Sequence, residues 1–166
     1  IRDGTPIEPL IHGAGHELGR RAGTENALLT VGLGKACALA KKYLNDSKIR
    51  DLRDRFWELL EKGFGRKVVL NGHPIHRLPN TLNVSFVGRV GAEILSRLEG
   101  VAASTGSACH SGSVELSPVL KAMGVPPEFG MGAIRFSLGR TTTVEELERV
   151  IQLLKIGLPL PAQTAC

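Results

Sequence analysis

The sequence predicts an α+β domain in which a small, mostly antiparallel sheet carries helices on one face. Three observations lead there. Over residues 48–63, Ile49, Leu52, Phe56, Leu59 and Leu60 fall on one helical stripe and Arg50, Asp51, Asp54 and Glu61 fall off it, the pattern of a helix that covers a sheet. Residues 81–87 alternate polar residues with β-branched, aliphatic and aromatic ones, and 133–138 form a second short apolar run, both of which fit strands. Thr143-Val144-Glu145-Glu146 has the form of a capping box, and it opens a last helix through Leu147, Val150, Ile151 and Leu154.

The remaining elements follow in chain order. Residues 12–26 carry four glycines and no apolar periodicity, so a shaped loop is expected. Asn26 is placed to cap a helix from Ala27 to about Leu44, in which Leu28, Val31, Ala36, Leu39 and Ala40 keep helical spacing. Gly32 and Gly34 each cost that helix about 1 kcal/mol relative to Ala, which points to close packing against another element. Lys67–Leu70 is a strand, followed by the turn Asn71-Gly72-His73-Pro74. Gly91–Leu98 is a short helix, Val101–Ala103 a short strand, and Ser117-Pro118 starts a further helix with Pro at its first position. Gly124-Val125-Pro126-Pro127 stops that helix, and the segment after Gly157 is expected to fray. The organisation expected is a loop over 1–26, a bridging helix over 27–46, a small domain over 47–157 and a tail over 158–166.

Composition narrows the classes of function. The chain has 166 residues, 42% hydrophobic and 22% charged, enough for a globular core. No run approaches the ~18 apolar residues of a membrane span, and Ile1-Arg2-Asp3-Gly4 has no signal-like apolar segment, so a cytoplasmic protein without a membrane role is expected. The formal charge is +5, yet Lys and Arg are interspersed with acids and a single Trp and a single Tyr are available for stacking, a poor basis for nucleic-acid binding. Cys37, Cys109 and Cys166 are three widely spaced cysteines without a C-x-x-C pair, so reduced thiols are expected.

Cys109 sits in Ser104-Thr105-Gly106-Ser107-Ala108-Cys109-His110-Ser111-Gly112-Ser113. This run of small and polar residues offers little to pack, which suits a reactive thiol and not a buried structural one. Gly106 and Gly112 serve as hinges, and His110 either lowers the thiol pKa or is simply exposed. Cys37 lies among Ala36, Ala38 and Leu39 and reads as packing, whereas Cys166 falls in the tail. Arg135 stands inside the strand Ala133-Ile134-Arg135-Phe136-Ser137-Leu138, where a guanidinium needs an anionic partner. A salt bridge on an edge strand would satisfy it, and so would a small carboxylate bound by its planar fork. Gly23-Thr24, preceded by Arg20-Arg21, could grip a phosphate, although it is not a nucleotide-binding P-loop. His12, His16 and Glu17 superficially suggest a metal, but a glycine-rich loop is a poor scaffold for one, and none is expected. His73 and His76 bracket a Pro turn and are expected to face water.

Four motifs occurring in order resemble the C-terminal part of the pyridoxal-phosphate-dependent cysteine desulfurases, and nearly as closely the related selenocysteine lyases, within the class V aminotransferases. They are Gly13-Ala14-Gly15-His16-Glu17, Arg21-Ala22-Gly23-Thr24-Glu25-Asn26, Ser104-Thr105-Gly106-Ser107-Ala108-Cys109 and Ile134-Arg135-Phe136-Ser137-Leu138-Gly139-Arg140. The resemblance implies the small domain of a fold-type I enzyme. It further implies that Cys109 takes sulfur from L-cysteine as a persulfide and leaves L-alanine, that Arg135 holds the substrate carboxylate, and that Thr24 reaches the phosphate of pyridoxal 5'-phosphate across a homodimer. A sulfur-acceptor protein, as in iron-sulfur cluster assembly, would be the partner, and L-selenocysteine is the alternative substrate. One departure stands out: no lysine of this sequence follows a histidine, whereas the resembled enzymes hold their cofactor through such a lysine in a large preceding domain. The expectation is therefore a chain inactive alone, half of a desulfurase-like enzyme. A non-enzymatic sulfur carrier or partner-binding module is the alternative.

Overall fold

The computed structural model describes residues 2–44, 47–105 and 115–158, and the chain divides into two compact units, Ile1–Asp46 and Ser47–Cys166. Cys109, Gly106, Gly112, His110 and Cys166 lie outside the described residues. In the first unit, a four-residue turn α1 (His16–Gly19) interrupts the expected loop, and Glu17 (φ 52°) and Leu18 (φ 59°) inside it are left-handed. L residues rarely adopt that conformation, so this turn is strained. Helix α2 (Ala27–Tyr43) follows, and the Asn26 side chain accepts a hydrogen bond from the Leu29 N–H at 3.0 Å, as its N-cap position requires. No residue of α2 is buried, with Leu28, Leu29, Val31 and Leu33 between 65% and 86% exposed.

The second unit is built on a three-stranded antiparallel sheet in the order β1 (Val68–Leu70), β2 (Thr81–Phe86), β3 (Ala133–Ser137). Helix α3 (Lys48–Phe64) runs into a 3-10 turn at Gly65–Lys67 and then into β1. Helices α4 (Gly91–Ser96), α5 (Pro118–Ala122) and α6 (Pro127–Gly130) lie between β2 and β3, and α7 (Val144–Gly157) closes the unit. The strand period of two divides the sheet into unlike faces. Leu82, Val84 and Phe86 of β2 stand level with Phe136, Ile134 and Val68 and are buried with Phe56 and Leu60 of α3 and with Leu147, Ile151 and Leu154 of α7. Phe56 meets Phe136 edge-on at 5.1 Å between ring centroids, and Phe64 meets Phe86 in the same way at 5.5 Å. The opposite face carries Asn83, Ser85, Arg135 and Ser137 at the alternate positions.

The α+β class with helices against one face of an antiparallel sheet is thus present. The Thr143 capping box also forms, with Thr143 N–H donating to Glu146 Oε2 at 3.0 Å and Glu146 N–H to Thr143 Oγ1 at 3.3 Å. Three details differ from the sequence expectation. The strand expected over Val101–Ala103 is reduced to a single bridge at Ser104, because only that residue reaches the edge of β3. Pro127 does more than end a helix, since it opens α6 from the first-turn position where a missing N–H costs nothing. Leu158 is not part of a frayed end: it is buried in the core, and its N–H donates to the Leu154 carbonyl at 2.8 Å.

The long loop between β1 and β2 is tied down by charge. Arg53 of α3 is buried, yet it donates from Nη1 to the Leu78 carbonyl at 2.8 Å and from Nη2 to Asp54 at 2.7 Å. Arg77 shares that same carboxylate at 3.2 Å. Burial, followed by the neighbouring Arg53 charge, lowers the Arg77 pKa below its ordinary value, and Asp54 opposes both.

Candidate functional site

The polar face of the sheet converges on Arg135. In the β2–β3 register Arg135 stands directly opposite Asn83. On its other side it forms an isolated antiparallel bridge with Ser104, in which Ser104 N–H donates to the Arg135 carbonyl at 3.1 Å and Arg135 N–H donates to the Ser104 carbonyl at 2.6 Å. Arg135 is therefore not on a bare edge. Its backbone is fixed on both sides, while its side chain is exposed and makes no ion pair among the described residues. That removes the salt-bridge reading of this arginine within the described residues and leaves a rigidly mounted fork open to an anion.

A shallow depression of about 210 Å³ adjoins it, lined by Ala102, Ala103, Ser104, Arg135 and Ser137. A larger groove of about 680 Å³ shares Ala102 and Ser137 with it and runs along α7 past Leu147 and Val150, with Glu99 and Glu145 among its lining residues. Hydrogen bonding to its own backbone N–H, then to the Thr143 hydroxyl, holds the Glu145 carboxyl below the usual carboxylate range. Glu146 and Arg149 line the groove as well, so it mixes acidic and basic groups on an apolar floor, whereas Arg135 is the one charged residue lining the smaller depression. Volume does not decide the chemistry here.

The bridge has a covalent consequence for Cys109. Ser104, paired to Arg135, precedes Cys109 by five residues in the chain. The structure pairs Ser104 with Arg135, and Cys109 itself lies outside the described residues. Gly91 and Gly132 shape the approach to this strand, since a Cβ on Gly132 would overlap the Phe86 carbonyl oxygen and one on Gly91 would press on the Ala133 carbonyl. At both places main chain meets main chain.

Thr24 belongs to the first unit. The segment before α2 folds back on itself: Ala22 N–H donates to the Ile11 carbonyl at 3.1 Å, and Arg21 Nη1 donates to the Gly23 carbonyl at 3.1 Å and lies 4.0 Å from Glu25. Thr24 is exposed two residues ahead of the Asn26 cap, and its hydroxyl has no partner among the described residues. An outward hydroxyl near the positive end of a 17-residue helix suits a phosphate oxygen. His12 and His16 are exposed, and no group of three potential metal ligands exists among the described residues. His73 Nδ1 accepts from the N–H groups of Ile75 and His76 at 3.0 and 2.9 Å, which closes the Pro turn and leaves both rings in solvent.

Cys37 is exposed on α2, so the packing expected of it is not seen among the described residues. Asn83, not singled out by the sequence, stands opposite Arg135. Its signal was the polar half of the alternation Thr81-Leu82-Asn83-Val84-Ser85-Phe86, which gains meaning only once the register sets it beside Arg135.

Residues 10–150 match the aminotransferase class-V family. The chain is 48% identical over 158 residues to the cysteine desulfurase IscS of Methanosarcina thermophila, covering 93% of this chain and 39% of that protein. It is 45% identical over 159 residues to the cysteine desulfurase NifS of Azotobacter vinelandii, again covering 39% of the relative. Among solved structures, a NifS-like protein superposes with a TM-score of 0.76 at 34% identity, covering 94% of this chain and 40% of that one. The NifS-like protein from Rickettsia africae ESF-5 gives a TM-score of 0.76 at 30% identity, covering 94% of this chain and 41% of that one. The chain thus spans about two fifths of the length of these relatives. With a family match that runs from the loop before α2 through β3 and into α7, this chain belongs to the aminotransferase class-V family.

Proposed function

We propose that this chain is the sulfur-accepting and carboxylate-binding part of a pyridoxal-phosphate-dependent cysteine desulfurase. The observation that carries the reading is the Ser104–Arg135 bridge, which ties the root of the Cys109 loop to the arginine that would hold the substrate. Arg135 binds the carboxylate of L-cysteine and so fixes its Cβ–S bond at the depression. The Cys109 thiolate attacks the substrate sulfur. An S–S bond forms, the Cβ–S bond breaks with its electron pair going to Cβ, and a proton delivered to Cβ gives L-alanine, leaving Cys109 as a persulfide. Pyridoxal phosphate, when bound, supplies the electron sink that makes this bond cleavage possible. Gly106 and Gly112 then let the loop carry the persulfide to a sulfur-acceptor protein.

Of the groups that would hold the cofactor, the exposed Thr24 hydroxyl fits the phosphate, reached from the other subunit of a homodimer. A lysine following a histidine is absent from this sequence, so the reading assigns the Schiff base to a large domain supplied outside these residues. The fully exposed α2 supports that assignment, because a helix with Leu28, Leu29, Val31 and Leu33 in water lacks a covering partner. The purified chain is accordingly expected to associate through α2, and sedimentation should show a dimer or larger species that Leu29→Glu with Leu33→Glu disperses. A monomer at all concentrations would count against it.

The direct test is a chimera in which this chain replaces the matching segment of the Methanosarcina thermophila relative. With L-cysteine it is expected to release L-alanine and to carry a persulfide on Cys109. Cys109→Ala should lose both while remaining folded, and the chain alone with pyridoxal phosphate should show no turnover. Release of L-alanine by the unassisted chain would overturn the division of labour. A persulfide acquired by the unassisted chain from a low-molecular-weight sulfur donor, with an inactive chimera, would favour a sulfur carrier.

A further inference from the structure

The polar face of the sheet holds a row of side chains running across the strands at one level. Asn71 N–H donates to the Asn83 carbonyl at 2.9 Å, which extends the β1–β2 register by one residue and sets Asn71 opposite Asn83. Asn83 stands opposite Arg135, and Arg135 opposite Ser104. Residues directly opposite one another point to the same face, so Asn71, Asn83, Arg135 and Ser104 form a line that ends at the root of the cysteine loop.

Asn83 and Arg135 occupy a non-hydrogen-bonded pair of the ladder, because the backbone bonds join Phe86 with Gly132 and Leu138 with Asn80 in the alternate registers. Side chains are closest at such positions, with Cβ atoms about 4.5–5.5 Å apart. The orientation of the Asn83 amide is set by the network behind it. Asn71 Nδ2 donates to Asn83 Oδ1 at 2.8 Å and to the hydroxyl of the fully buried Ser85 at 2.8 Å. With Oδ1 engaged by Asn71, the NH2 donors of the half-buried Asn83 remain, and they have no partner among the described residues. A guanidinium has no acceptor atom, so Arg135 does not satisfy them. Two donor groups on facing strand positions, neither with a side-chain acceptor among the described residues, are placed to share one anionic group.

We propose that Asn83 is a second substrate-binding residue, donating from Nδ2 to the carboxylate that Arg135 grips, with Asn71 as the positioning residue that keeps the amide turned that way. The inference rests on the reading of Arg135 as the carboxylate site and adds a discriminating element to it. A guanidinium alone attracts any small anion, whereas a fork and an amide at fixed separation select a planar carboxylate.

The experiment is a titration of the isotope-labelled chain with L-alanine, following the side-chain N–H signals of Asn83 and Arg135 by NMR, with alaninamide as the ligand that lacks a carboxylate. Both signals are expected to move along one binding curve with L-alanine and neither with alaninamide. Asn83→Ala should weaken binding about tenfold, the usual consequence of removing one hydrogen bond to a charged group. Asn71→Ala should weaken it several-fold while the Asn83 signal still responds. A response of Arg135 with the Asn83 signal unmoved, or unchanged binding in a folded Asn83→Ala chain, would overturn the role of Asn83 and leave that of Arg135 standing. No response at either side chain would overturn both.

Discussion

Gly132→Ala should destabilise the Ser47–Leu158 region by about 3 kcal/mol, the upper part of the range for overpacking a tight interior. Its Cβ would fall on the carbonyl of Phe86, with the Arg89 carbonyl oxygen 3.1 Å away. Both obstacles are main chain, so no rotamer change relieves them, and the strands must separate where Phe86 N–H now donates to the Gly132 carbonyl at 3.0 Å. Domains are stable by only about 5–15 kcal/mol in total, so the loss is large. Urea unfolding is the measurement, with Gly139→Ala as control. Gly139 is exposed, its Cβ would meet nothing nearer than Thr142 Oγ1 at 4.0 Å, and a change within about 0.5 kcal/mol is expected there. Equal midpoints for the two variants would mean that β2 and β3 do not approach as closely as Gly132 implies. Gly132 immediately precedes β3, three residues before Arg135, so the anion site is expected to fail together with the sheet.

The elements that were legible in the sequence are those whose signals are local. The stripe of α3, the alternation of β2 and the Thr143 box of α7 each specify an element within one or two turns of chain, and each forms where expected. Signals that depend on distant partners were not legible. Arg53 looks like one more charge on the polar flank of α3, yet it is buried, because the Leu78 carbonyl 25 residues away and the neighbouring Asp54 both meet its guanidinium. The Val101–Ala103 run has apolar strand-forming composition, but pairing needs an edge, and β3 offers one only to Ser104.

The same distinction governs the site. Arg135 could be singled out from sequence because a charge inside an apolar strand is a local anomaly, whereas the choice between salt bridge and anion site needed the sheet register and the surroundings of its side chain. Asn83 carried no anomaly at all. An asparagine on the polar side of a half-buried strand is ordinary, and only the pairing of residues 83 and 135 across the sheet, with Asn71 behind, gives it a role. Thr24 lies in between. Its loop was readable from glycines and arginines, and the Asn26 cap that places it before α2 followed from the preference of Asn for that position.

Arg135→Ala should lower kcat/KM for L-cysteine in the chimera by on the order of 10²–10⁴-fold, since a bidentate grip on a carboxylate comprises two charge-assisted hydrogen bonds of roughly 1.5–3 kcal/mol each. The fold should survive. The side chain is exposed and makes no ion pair among the described residues, and the N–H and C=O of Arg135 both bond the main chain of Ser104. The loss should appear in KM, because the carboxylate is held before and during reaction alike, and also in kcat, because a substrate no longer anchored presents its sulfur to Cys109 less often in line. Arg135→Lys should recover only part of the loss, as a point charge on a flexible stem keeps the attraction but not the two-point geometry. Initial rates over a range of L-cysteine concentrations separate the two parameters. If Arg135→Ala left both unchanged in a folded, cofactor-loaded chimera, the carboxylate would have to be held elsewhere, and the Ser104 bridge would then be only a means of anchoring the loop.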